Sequence, residues 1–138
     1  LQTAAGVVTA GNWHHIAAVF DRDTGQMRIV VDGVQRASGA LRTNSSLSFA
    51  TPLLVGTSPE QGTEVATFHG RLDELRVWNL ARTNEEILAA LAAPIAEATT
   101  GLVMNLRADE ASGATLADIG AHAAPARAAA RRSARTSA

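Results

Sequence analysis

The sequence predicts an antiparallel β-sandwich with one short helix, and three observations carry that reading. Short β-prone runs separated by turn residues recur between Val7 and Trp78, and Asp32-Gly33 stands directly between two of them. Only near residues 83–92 does the apolar spacing become helical, and no alternation of strand and helix suggests a parallel sheet. A chain of 138 residues, 46% hydrophobic, fits one domain built on one core.

Val7 and Val8 precede the turn-like cluster TAGN, after which HHIAAVF at 14–20 reads as a strand. Extended geometry sends His15, Ala17 and Val19 to one face and His14, Ile16, Ala18 and Phe20 to the other. Both faces are largely apolar, as in a strand covered on both sides. The polar loop DRDTGQ leads to MRIVV, and Asp32-Gly33 then predicts a two-residue turn whose central positions both need positive φ. A third strand, VQRAS, follows. LLVG at 53–56 reads as a short buried strand, TSPEQGTEVAT as a long surface loop, and FHGRLDELRVWN as the longest strand of all. Thr83 with Glu86 three residues on forms a capping box, and Ile87, Leu88 and Leu91 make an apolar stripe that Pro94 ends.

Composition narrows the function. Formal net charge is −1, which favours no polyanionic or polycationic partner for the whole chain. The end of the chain carries Arg127, Arg131, Arg132 and Arg135 without an acid, yet it lacks the interleaved aromatics of a nucleic-acid module, so no nucleic-acid partner is expected. With no cysteine there is neither a disulfide framework nor a zinc-thiolate site. No apolar run is long enough for a membrane span. Because the chain starts at Leu1 and enters a strand-like segment at once, it is expected to be a piece of a longer polypeptide.

The segments GNWHHIAAVFD, MRIVVDG, LLVG and FHGRLDELRVWNLARTNEEI occur in an order and spacing that resemble the laminin G-like domains of the concanavalin A-like lectin/glucanase superfamily, related to pentraxins. The resemblance covers about Val7 to Leu91 and rests on the combination rather than on any one piece. Residues 101–118, GLVMNLRADEASGATLAD, are similar to a segment that in bacterial laminin G-like proteins opens a repeat or follows the helix. Gly101, Leu102, Val103, Asp109, Glu110, Ser112, Gly113 and Asp118 match that form, while Leu106 and Ala108 stand where aromatics are usual. The resemblance implies a jelly roll of which this chain lacks the front half. It therefore implies either open sheet edges or a strand at 101–108 that substitutes for a missing one. The chain divides into residues 1–93, the C-terminal portion of the jelly roll; 94–120, a linker plus the opening-type strand; and 121–138, an Ala/Arg-rich tail expected to be disordered.

Candidate sites follow from side-chain chemistry. His14 and His15 are strand neighbours on opposite faces, so they are poorly placed to share one metal ion, and a place in the sheet is the better reading. Trp13 and Trp78 are the candidate ligand-binding residues, since an indole face stacks on the apolar face of a pyranose. Both stand where relatives usually use them for packing. Relatives also bind calcium through loop carboxylates and amides, and the resemblance implies Glu60, Gln61 and Glu64 as candidate calcium ligands. Adjacent Asp73 and Glu74 face opposite ways. They cannot supply the same-face carboxylates, about 5 to 5.5 Å apart, that retaining glycoside hydrolysis needs. Glu74 and Arg76 share a face and are expected to form cross-strand pairs. No phosphate-binding Gly-rich loop and no Ser-His-Asp constellation can be read from spacing.

The sequence thus predicts a non-enzymatic binding or adhesion module of a secreted, bacterial, multidomain protein. Its expected partners are a glycan or an extracellular protein, with calcium as the candidate cofactor. The alternative is a structural spacer attached to a carbohydrate-active or other secreted enzyme.

Overall fold

Asp32 and Gly33 take φ values of 52° and 76°, so the two-residue turn has both central residues in the left-handed region, as the dipeptide requires. The structure, a computed structural model, describes residues 1–41, 55–58, 66–91, 95–96, 99–109, 115–120 and 126–127. Around this turn lies a three-stranded antiparallel sheet in the order β1 (Ile16–Asp21), β2 (Gln26–Val31), β3 (Val34–Ala40). Val31 pairs with Val34 across the turn, and a bulge between Ile29 and Val30 leaves Arg36 as the extra residue of β3.

The register sorts the side chains. Ala17 pairs with Val30 and Val19 with Arg28, which puts these four on one face. That face is closed by helix α1 (Asn84–Leu91), whose Ile87 joins Val19 and Val30 in a buried cluster with Ala17 against it. Arg28 holds the start of the helix, donating from Nε to Asn84 Oδ1 at 3.0 Å and from Nη2 to the Arg82 carbonyl. The capping box forms as expected: the Thr83 N–H donates to Glu86 Oε2 at 2.9 Å and the Glu86 N–H to Thr83 Oγ1 at 3.2 Å. The other face departs from the sequence expectation of a strand covered on both sides, because Ile16, Phe20 and Val34 are all exposed on it.

A second antiparallel pair joins β6 (Leu75–Trp78) to β7 (Leu102–Leu106). Residues 102–106 therefore form a sheet strand beside β6, and Leu102 and Leu106 are buried. Leu106 fills its position although an aromatic is usual there. Asp118 forms a bridge to Leu106, and residues 118–120 run close alongside β7. A Cβ on Gly120 would lie 2.7 Å from the Met104 Cα, so only glycine permits this approach.

Three local expectations are corrected. The long strand expected at 68–79 is limited to Leu75–Trp78, because Glu74 turns to φ 52° and its N–H bonds Asp73 Oδ1 at 3.0 Å. The surface loop expected at 57–67 has paired ends, β4 (Thr57–Ser58) antiparallel to β5 (Ala66–Thr67). Val55 and Gly56 form a bend rather than a strand, with Gly56 at φ 78°, and residues 53–54 lie outside the described residues. A last short pair joins β8 (Thr115–Leu116) to β9 (Ala126–Arg127). The rest of the Ala/Arg-rich tail lies outside the described residues.

Gly33 also receives the helix, since a Cβ there would lie 2.5 Å from Leu88 Cδ1. Gly33→Ala is expected to cost about 1–2 kcal/mol from the left-handed backbone, plus the displacement of Leu88. Gly25→Ala, at φ 66° with nothing within 4 Å of its Cβ, carries the backbone cost alone. Urea titration of both variants checks this: Gly33→Ala should lose more stability than Gly25→Ala, and equal losses would refute the packing component.

Candidate functional site

Residues 9–15 approach β1 through a segment that side-chain bonds help to hold in place. The Asp32 carboxylate stands at the hairpin turn and gathers them. Its Oδ1 accepts the His15 N–H at 2.9 Å, its Oδ2 lies 2.8 Å from His14 Nδ1, and its own N–H donates to the His15 carbonyl at 2.9 Å. On the far side of the ring, His14 Nε2 accepts the Thr9 N–H at 3.2 Å and lies 2.9 Å from Thr9 Oγ1. Asn12 Nδ2 donates to the same Thr9 oxygen at 3.1 Å. A backbone N–H can only donate, so Nε2 is the acceptor and the imidazole proton belongs on Nδ1, facing Asp32. The carboxylate accepts from both histidine residues, and the His14 bond, followed by the His15 N–H, holds its pKa below the usual aspartate value.

This clasp presents Trp13. Although the resemblance led to an expectation of packing, the Trp13 side chain is 65% exposed. A large aromatic left in water on a loop fixed on both sides is a ready stacking surface, since little further ordering is required of it on binding. Trp78 differs. It is half-buried on β6, and the Arg82 guanidinium carbon lies 4.5 Å from its ring centroid, so one face is already occupied by a cation. The structure therefore separates the two tryptophans into an open platform and a packed one.

The order hydroxyl, imidazole, carboxylate in Thr9, His14 and Asp32 was not legible in the sequence. The only available signal was that Asp32 closes the hairpin opposite residue 15. The order resembles a nucleophile–base relay, but Nε2 already takes the Thr9 N–H and Thr9 Oγ1 already accepts from Asn12. Those bonds make it a clasp. Glu74 and Arg76, expected to form cross-strand pairs, instead pair with each other along one segment, Arg76 Nη2 lying 2.5 Å from Glu74 Oε2.

Glu60, Gln61 and Glu64 lie outside the described residues. Ser58 and Ala66 on either side are register partners, so the ends of the stretch that carries them are held side by side. Among the described residues no group of three or more His, Cys, Asp or Glu could hold a metal ion. No helix among them is long and apolar enough to cross a membrane.

A laminin G family model described as the concanavalin A-like lectin/glucanases superfamily matches residues 2–88, and the chain belongs to that superfamily. Its architecture is that of an incomplete concanavalin A-like β-sandwich: short antiparallel sheets and one helix among the described residues. Among solved structures it is similar to a candidate carbohydrate-binding protein from Bacteroides ovatus, with a TM-score of 0.59 and 21% identity. That match covers 89% of this chain and 38% of the other, so the chain spans well under half the length of its structural neighbour.

His15 gives the site a pH dependence. Burial, followed by the charge of Arg76, lowers its pKa below the ordinary 6.5, and Asp32 opposes the shift. The unfolded chain therefore binds this proton more readily than the fold does. The resulting stability is complete above about pH 6.5 and is lost as the pH falls through the lower folded value. The urea midpoint should decline from pH 7.5 to pH 5, and an NMR titration of the His15 ring should have its midpoint below 6.5. A midpoint at or above 6.5 would contradict the assignment.

Proposed function

We propose that this chain is a non-catalytic carbohydrate-binding module of a secreted multidomain protein, with Trp13 as the stacking platform for a sugar ring. The observation that carries the reading is the 65% exposure of Trp13 on a loop clasped by Thr9, Asn12, His14 and Asp32. Membership of a lectin and glucanase superfamily supports it, as does the carbohydrate-binding role assigned to the Bacteroides ovatus neighbour. An indole pairs with the C–H face of a pyranose, while the polar side chains of such a site select hydroxyl geometry. The near-neutral chain fits a neutral glycan better than a highly charged one.

Affinity electrophoresis through gels containing individual soluble polysaccharides tests the reading. At least one glycan should retard the chain, and Trp13→Ala should weaken that retardation about tenfold or more, the equivalent of about 1.4 kcal/mol. Leu80→Ala, which removes another exposed apolar side chain, should leave it unchanged. Retardation that survives Trp13→Ala would move the site elsewhere on the chain.

Calcium belongs to the same proposal, with Glu60, Gln61 and Glu64 as its ligands. The support is the register pair Ser58 and Ala66 that flanks them in the sequence and the oxygen-rich donor set that calcium favours. Millimolar calcium should raise the melting midpoint relative to EDTA, as ligand binding to the folded state requires, and Glu60→Ala with Glu64→Ala should remove the increment. A midpoint indifferent to calcium would refute this part alone.

A further inference from the structure

On one face of the β6–β7 ladder, buried polar side-chain atoms have no hydrogen-bond partner. Asn105 is fully buried at 0% exposure, and neither its Nδ2 nor its Oδ1 has a hydrogen bond. Its backbone is satisfied on both sides: the N–H donates to Asp118 Oδ1 at 2.9 Å, and the carbonyl accepts the Ile119 N–H at 3.1 Å. Arg76 is the register partner of Asn105 on β6, so the two side chains project from the same face of the ladder. Arg76 Nε is also buried and unpartnered, its Nη2 alone being taken by Glu74.

Such atoms are rarely left unpaired in a folded protein. The chemistry of the set selects what would satisfy it. Arg76 Nε and Asn105 Nδ2 donate, and Asn105 Oδ1 accepts. An anion would serve the donors and leave Oδ1 facing negative charge. A hydroxyl serves both kinds. We propose that Arg76 and Asn105 form an internal binding site for a small neutral hydroxylic ligand, water itself, which bridges β6 and β7. A buried water characteristically makes about three hydrogen bonds to groups of this kind. The atoms are closed to solvent, so the site is structural and distinct from the exposed Trp13 loop.

A high-resolution crystal structure of the chain, with a matching crystal soaked in bromide, tests the proposal. The expected result is a density peak about 2.7–3.2 Å from Arg76 Nε and from the Asn105 amide, with no anomalous signal from bromide. An anomalous peak would assign the site to an anion, and side chains rotated to pair directly with one another would remove the site; either overturns the proposal. A second measurement is the melting midpoint of Asn105→Leu. With a bound water, the variant strands the Arg76 Nε–H and the midpoint falls by about 4 °C or more. A rise would show that Asn105 was unpaired, and would equally overturn the proposal.

Discussion

The turn at Asp32-Gly33 is the constraint on which most of the described structure depends. Its left-handed backbone sets the pairing of β2 with β3. The missing side chain of Gly33 admits Leu88 of the helix, and the Asp32 carboxylate receives His14 and the N–H of His15. Hairpin register, helix docking and the loop that presents Trp13 thus meet at two consecutive residues. The buried cluster of Val19, Val30 and Ile87 supplies hydrophobic attraction, but that attraction has no direction of its own. The turn gives it one.

Legibility in the sequence followed the range of the interaction. The Asp-Gly turn, the Thr83–Glu86 capping box and the three strands of the hairpin sheet are each written in a few adjacent residues, and each is present. The stretch at 68–79 misled because alternating apolar residues are also compatible with an irregular approach to a strand. The positive φ of Glu74 depends on a bond from its N–H to Asp73 that periodicity does not encode. The clasp was out of reach for a related reason. Thr9, His14 and Asp32 converge only after the hairpin has brought the turn beside the incoming loop.

The two histidines show how strand geometry divides one motif between two environments. His14 lies between Thr9 and Asp32, while His15 turns inward and its Nδ1 is buried. Alternation dictates the separation, as the sequence suggested. It did not reveal that the outer ring would hold the neighbouring tryptophan in place. Trp13 is exposed because the residues on either side of it are committed elsewhere, Asn12 to Thr9 and His14 to Asp32.

Rigidity without burial is unusual for a large aromatic, because the hydrophobic effect rewards covering it with chain. Here the polar bonds around Trp13 fix the backbone while leaving the indole uncovered, so the apolar area can be buried only by something that binds. Trp78 shows the alternative outcome within the same chain. Its ring is half-covered by the fold and one face is taken by Arg82, leaving less area for a ligand to gain. A difference in exposure, argued from partners that can be named, separates a platform for recognition from a packed aromatic more firmly than residue type can.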